Sequence, residues 1–330
     1  MDELDPALEG AEVEPEEAEV RSAQVGIDSH GSRLDRFLVN LAPEFSRNHL
    51  QSLVERGCVS IGGVAVTKDA RKLKAGEQVR VELQPTEESR AFRAEPMDLP
   101  IVFEDEHVIV VNKPVGLVVH PAPGNWSGTL MNGLLAHHTA AATLPRGGIV
   151  HRLDKDTTGL MVVGKTLEAV TALSRAIAAR EVHREYIALT HGNAEESFIV
   201  DTPLRRDPVT KVKMVVRHDG KPSRTDVYRI DGAEIDGRAI SAVHCVLHSG
   251  RTHQIRVHLA SRGHPLLADA LYGGAPALGM TRQALHATRL AFAHPISGEA
   301  LAFDAPMPQD LRAAWDLAHL DTGTLPDRTI

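Results

Sequence analysis

Four polar clusters in this chain combine residue types that do chemistry. The densest runs Gly147-Gly148-Ile149-Val150-His151-Arg152-Leu153-Asp154-Lys155-Asp156-Thr157-Thr158-Gly159-Leu160. A glycine pair opens it and an apolar strand closes it, so it reads as a structured loop feeding a sheet, a common place for functional residues. Its carboxylates, Asp154 and Asp156, are candidates for chemistry. The same residues also suit a salt-bridged turn with Arg152 and Lys155 as counter-charges. The second cluster, Ser249-Gly250-Arg251-Thr252-His253-Gln254-Ile255-Arg256-Val257-His258-Leu259, reads as a helix start with Thr252 as N-cap. Arg256 lies one turn further on, where a guanidinium could pair bidentately with a carboxylate and favour its charged form. A surface arginine on an amphipathic helix is the alternative. The third is Arg184-Glu185-Tyr186 at a strand start, where a tyrosine is ordinarily core or sheet surface. In the fourth, Asn112-Lys113-Pro114-Val115-Gly116, a strand runs into a bend that presents Lys113 at the turn. An ordinary hairpin corner fits it equally.

These clusters need elements to hold them. Residues 1–24 read as an acidic disordered tail. Over 31–83, apolar residues at helical spacing predict a helix from Leu34 to Leu41, and Ser46 caps a second helix ending at Gly57. A Gly62-Gly63 hairpin and a strand from Gln78 to Leu83 follow. Residues 84–98 read as a linker. The larger domain, 99–320, shows strand-like runs at 101–103, 107–111, 160–163, 184–189, 212–216, 224–230 and 239–247. Helical patterns occupy 129–138, 167–179, 252–261 and 308–319, and 321–330 form a C-terminal tail. Strands mostly follow strands, which predicts an α+β fold with a mixed, mostly antiparallel sheet rather than a doubly wound one.

Taken in order and spacing, "NKPVGLVVHP", "GGIVHRLDKDTTGLMVV", "REYIAL" and "SGRTHQIRVHLASRGHPLLADALYGG" resemble the RluA/RluD family of pseudouridine synthases over residues 99–310. In front of them "SRLDRFL", "SRNHLQSLVERGCVSIGG" and "LKAGEQVRVEL" resemble an S4-type RNA-binding domain, with Gly62 where an asparagine is usual. The whole is most similar to the RluD-type branch acting on large-subunit ribosomal RNA. The resemblance implies a central cleft, with Asp154 as catalytic aspartate, Tyr186 as active-site tyrosine and Arg256 as the arginine paired with the aspartate. It implies that Arg152 contacts the RNA by filling the space vacated by a flipped base, and that Lys113 and Pro114 edge the cleft, where Lys113 is expected to contact RNA as well.

Breaking an N1–C1′ bond, turning the base and joining C5 to C1′ is redox-neutral, so no cofactor is expected. No dinucleotide fingerprint or P-loop is present. A carboxylate would trap or stabilise the sugar, as in glycosidases. Attack on C1′, attack on the base and deprotonation at C2′ all fit Asp154.

The net charge of −8 argues at first against nucleic acid, but nine acidic residues and no basic one precede Arg21. Without them 36 basic face 35 acidic residues, and local patches decide. Residues 31–83 carry a net +3, with Arg33, Arg36 and Arg47 on or beside the two helices. Residues 204–225 carry a net +5 and include Arg205, Arg206, Lys211 and Lys213. Both stretches are expected to contact phosphates, though solvated faces would look the same. His253 and His258 are five apart and Cys245 lacks a partner, so no metal is expected. Two cysteines, no 18-residue apolar run and no signal peptide fit a reduced, cytoplasmic, non-membrane protein. Without a coiled-coil pattern a monomer is expected. The rival readings are a non-catalytic RNA-binding protein and a metal-dependent RNA hydrolase using Asp154 and Asp156.

Overall fold

The computed structural model describes residues 19–84 and 91–321. The chain divides into two units, 1–90 and 91–330.

In the first unit, α1 (Leu34–Leu41) and α2 (Arg47–Glu55) pack on strands β1 (Glu19–Gln24), β2 (Val59–Ile61), β3 (Val64–Ala65) and β4 (Gln78–Leu83), arranged β1-β4-β2-β3 with antiparallel pairings. Leu34, Leu38, Leu50, Leu53, Val79 and Val81 form a fully buried core. Ser46 caps α2 as expected, accepting from the His49 N–H at 3.2 Å. Gly62 and Gly63 turn the hairpin at positive φ, the backbone such tight turns demand. The tail reading needs correction at its end: residues 19–24 are a strand whose six residues pair with β4. Local charge obscured a strand that only β4 can stabilise. Residues 1–18 lie outside the described residues.

The second unit starts at Ala91, and residues 91–98 are not a linker. Ala91 is buried, Met97 packs on the main core, and the Asn132 side chain donates to the carbonyls of Ala91 and Arg93. Its sheet comprises β5 (Ile101–Glu104), β6 (Val108–Lys113), β7 (Thr158–Gly164), β8 (His183–His191), β9 (Ser197–Asp201), β12 (Arg224–Ile235), β13 (Arg238–Leu247), β14 (Leu285–Ala293) and β15 (Ala300–Asp304). Their order is β5-β6-β7-β14-β8-β13-β12-β9, with β15 paired to the far half of β14. Among the described strands only β7 and β14 run parallel, so the mixed, mostly antiparallel sheet is as expected. Strands β10 (Leu204–Arg206) and β11 (Met214–Val216) form a separate hairpin.

Both faces of the sheet are covered. Side chains alternate across a strand. Val108 and Val110 of β6 meet α4 (Leu167–Ala179) on one face, while Ile109 and Val111 join the other core. On β8, Ile187 and Leu189 pack with α6 (Gln309–Leu317). Tyr186 and Ala188 point oppositely, into the core shared with α3 (Leu130–His137) and α5 (Gln254–Ser261). β14 eluded the pattern because His286 and Thr288 occupy buried positions, 1% and 6% exposed. His286 pairs with the Thr158 hydroxyl at 2.8 Å, so a satisfied polar residue stands where alternation leads one to look for an apolar one.

Candidate active site

The loop bearing Asp154 lies along β7. Gly148 sits where a Cβ would come 2.0 Å from the Gly164 carbonyl oxygen, and Ile149 bridges to Val163. The Val162 N–H donates to His151 Nε2 at 3.0 Å, which holds the buried imidazole neutral; burial drives it down to about 3. Gly159, at φ +117°, lets β7 approach β14, where a Cβ would meet the Ala287 oxygen at 2.1 Å. The loop is pinned between two strands, and Asp154 leaves it half-buried.

Arg256 reaches Asp154 from α5. Its Nη1 donates to Asp154 Oδ2 at 3.0 Å. Its Nε and Nη2 donate to Asp269 Oδ2 and Oδ1 at 2.7 and 2.8 Å, a bidentate pair with a carboxylate only 2% exposed. Burial opposes the guanidinium's charge, but the Asp269 hydrogen bonds and both carboxylate charges outweigh it and push its pKa above the usual value. The helix start differs from expectation. Thr252 is not the N-cap; His253 is, in a left-handed conformation without a side-chain cap bond. Gln254 stitches the preceding loop instead, accepting from Ser249 Oγ and the Arg251 N–H and donating to the Arg224 carbonyl. That twist aims the His253 ring at the site. Its Nδ1 pairs with the Tyr272 hydroxyl at 2.8 Å, and its Nε2 stands 3.9 Å from Asp154 Oδ1. At that distance no hydrogen bond forms, so Oδ1 faces the cleft while Oδ2 is held by Arg256.

Tyr186 lines the same cleft, of about 530 Å³, 5% exposed, and burial pushes its phenol up to about 12. It is neutral at physiological pH. Arg152 is exposed on the cleft wall. Asp154, Tyr186, Arg256 and Arg152 therefore converge.

Lys113 does not reach the surface. It is 1% exposed, and its ammonium donates to the carbonyls of Pro114, Leu117 and Lys155 at 2.9, 3.0 and 2.8 Å. Burial pulls it down to about 7, against the charges of Asp156 and Asp154, while three carbonyl acceptors need all three of its protons. The expected RNA contact is corrected to an internal clamp tying the 114–117 bend to the residue after Asp154.

The remaining basic residues are dispersed. Arg33 and Arg47 both donate to Asp35, a fully buried carboxylate, and Arg33 also to Asp69; Arg36 is exposed. On the hairpin, Arg205 pairs with Asp219 and Arg206 donates to the Lys211 carbonyl. Exposed Lys211 and half-buried Lys213 precede Met214, whose N–H donates to the Tyr272 hydroxyl. Among the described residues, no three His, Cys, Asp or Glu side chains group as a metal site requires.

The sequence assigns no role to Asp269, Tyr272 or Arg184 (the last named only as part of the Arg184-Glu185-Tyr186 run), and weighs His253 only as a metal ligand. The only signal was their presence inside "REYIAL" and "THQIRVHLASRGHPLLADALYGG".

The sequence matches the family described as RNA pseudouridylate synthase over residues 107–261 and the S4 domain over residues 32–79. A Nitrosomonas europaea protein named ribosomal large subunit pseudouridine synthase D is 46% identical over 291 residues, covering 86% of this chain and 83% of its own. A Xanthomonas campestris protein of the same name is 42% identical, covering 91% and 92%. Among solved structures, human RNA pseudouridylate synthase domain containing 1 aligns with a TM-score of 0.51 at 26% identity, over 64% of this chain and 86% of that one. With an aspartate held open at the floor of a cleft beside a buried tyrosine, and with relatives this close over most of its length, the chain belongs to the RNA pseudouridylate synthase family.

Proposed function

We propose that this enzyme isomerises uridine in large-subunit ribosomal RNA, with Asp154 as its essential carboxylate. The observation that carries the reading is the Asp269–Arg256–Asp154 chain of charge, which fixes one oxygen of Asp154 and leaves the other facing the cleft. The relatives' names supply the RNA class.

Isomerisation breaks N1–C1′ and forms C5–C1′; C5 loses a proton and N1 gains one. Electrons balance within the nucleotide, so no redox carrier is required. Electron deficiency develops at C1′ as the bond breaks, and a carboxylate so placed stabilises or traps it. Attack on C1′, attack on the base, or removal of the C2′ proton each begins from Oδ1. Tyr186 stacks on the uracil and holds it while it turns. The uridine must leave its helix, at a cost of a few kcal/mol, and Arg152 on the cleft wall takes the vacated space. Arg36, Lys211 and Lys213 contact phosphates, and Arg33, Arg47, Arg205 and Arg206 contribute what donors their protein partners leave. The enzyme works as a monomer in the cytoplasm without cofactor.

The test is tritium release from C5-labelled uridine in large-subunit ribosomal RNA, naked and assembled, with and without EDTA, for wild type and Asp154→Ala. Release that ignores EDTA and vanishes in the variant is expected. An active Asp154→Ala enzyme would refute the assignment, no release by wild type would favour an RNA-binding role, and chelator-sensitive strand scission would favour a hydrolase.

A further inference from the structure

One side chain in the cleft has no partner that its chemistry requires. Arg184 is the second residue of β8, two before Tyr186, and projects from the same face. It is 4% exposed, yet among the described residues its buried Nε and Nη2 meet no acceptor. Burial pulls its guanidinium below the usual value, and no carboxylate offsets that. The backbone makes room for it: a Cβ on Gly250 would lie 2.8 Å from Arg184 Nη1.

Its surroundings deepen the deficit. The residues lining the cleft include Arg146, Arg152, Arg180, Arg251 and Arg256, and among the described residues Asp154 is the only carboxylate there. Asp154 is already engaged by Arg256. His151, close by, is neutral and spends Nε2 on the Val162 N–H. An unpaired charge this deep is strongly destabilising, and such a group persists where a ligand compensates it. A neutral uracil carbonyl would satisfy a donor but leave the charge; an anion satisfies both.

We infer that Arg184, in the space left by Gly250, binds a phosphodiester of the substrate RNA strand immediately flanking the isomerised uridine. This rests on the proposed function and adds to it a phosphate subsite and a direction for the strand. Arg184 and Tyr186 stand two strand residues apart, about 7 Å, a span comparable to that from a base across its ribose to the backbone. A base on Tyr186 therefore sets its adjoining phosphate at Arg184.

The experiment uses the full-length enzyme and a synthetic stem-loop containing its target uridine, with single methylphosphonate linkages at each position within two nucleotides of that uridine. Tritium release by wild type on the unmodified stem-loop first establishes the isomerase reading independently. In binding measurements wild type is expected to lose about 10- to 100-fold at one flanking linkage, the scale of a charge-assisted hydrogen bond pair. Arg184→Gln should lose less than about twofold at that same linkage, with its own defect carried by KM rather than kcat. Gly250→Ala should reproduce the insensitivity. Arg184→Met should leave the melting temperature unchanged or raise it, because it removes an unpaired buried charge; a structural arginine would lower it. The proposal is overturned if wild type tolerates every neutral linkage, or if Arg184→Gln is as sensitive as wild type at the critical one.

Discussion

Asp269 is the residue whose removal best tests how the active site is held. It does not itself line the cleft, yet it accepts Nε and Nη2 of Arg256 at 2.7 and 2.8 Å and leaves Nη1 for Asp154. Asp269→Asn keeps the shape but replaces a carboxylate by an amide that can accept through only one atom. One charge-assisted bond is lost and the other weakened, about 2–3 kcal/mol on typical magnitudes. Arg256 retains Asp154, so the loss stays below the 3–5 kcal/mol expected when a buried pair is broken outright. The freed guanidinium then tilts toward Asp154, and the oxygen that faced the cleft no longer does so alone. If about half of the 2–3 kcal/mol is expressed at the transition state, kcat falls roughly 5- to 13-fold. Single-turnover tritium release, measured well below the variant's melting temperature, reads that loss apart from folding. Combining Asp269→Asn with Arg256→Gln should give little further loss, since both disable one device. Additive losses in the double variant, or Asp269→Asn keeping kcat within twofold of wild type, would refute a positioning role.

Lys113→Met leaves three inward-facing carbonyls without their donor, and should cost about 3 kcal/mol or more in chemical denaturation and reduce kcat, because one of those carbonyls belongs to Lys155. Tyr186, raised to about 12, is protonated across pH 8–10. kcat should therefore show no log-linear climb there that Tyr186→Phe abolishes; such a climb would mark a tyrosinate base. Because the folded phenol binds its proton more tightly than the unfolded one, its contribution to stability is complete below pH 10 and lost as pH rises through about 12, a decline absent from Tyr186→Phe. Asp35 is held below the usual carboxylate range, chiefly by the Arg33 hydrogen bond against the opposing effect of burial. Its contribution is present above about pH 4 and lost below it. Asp35→Asn should expose the amides of Val79 and Val81 to faster hydrogen exchange by an amount near 2 kcal/mol, less than a fully buried pair because both guanidiniums are half in water.

Local pattern carried a good deal of this molecule. The 167–179 helix lies where apolar spacing placed it, and Ser46 caps α2. The loop-then-strand reading of 147–160 put Asp154 where it stands. What the pattern missed depends on distant partners. β1 looked like tail because its charges are visible in sequence and its pairing with β4, more than fifty residues away, is not. β14 hides behind His286 and Thr288, whose burial is acceptable only because Thr158 and the Ala305 carbonyl meet them. Lys113 read as a cation at an exposed turn, and three carbonyls from two loops drew it inward. Asp269 follows a fifteen-residue path from the start of α5 and meets Arg256 only in the folded chain.

Two arginines in one cleft illustrate how protein and substrate divide the task of neutralising charge. The charge of Arg256 is met by the protein: two aspartates take three of its donors, and the Tyr272 ring centre lies 5.1 Å from its guanidinium carbon. Such a group is rigid before substrate arrives, which is what a residue orienting a reactive carboxylate needs. Arg184 is equally buried but among the described residues has no protein acid, so its charge is left for whatever enters. If both were saturated, the cleft would be more stable but would not distinguish a phosphate from water. If both were unpaired, Asp154 would lose its fixed oxygen. The pairing of one and the deficit of the other give the site a polarity, chemistry beside Arg256 and backbone beside Arg184. That polarity forces the strand to enter in one direction, which the methylphosphonate scan would register as sensitivity on one side of the uridine and not the other.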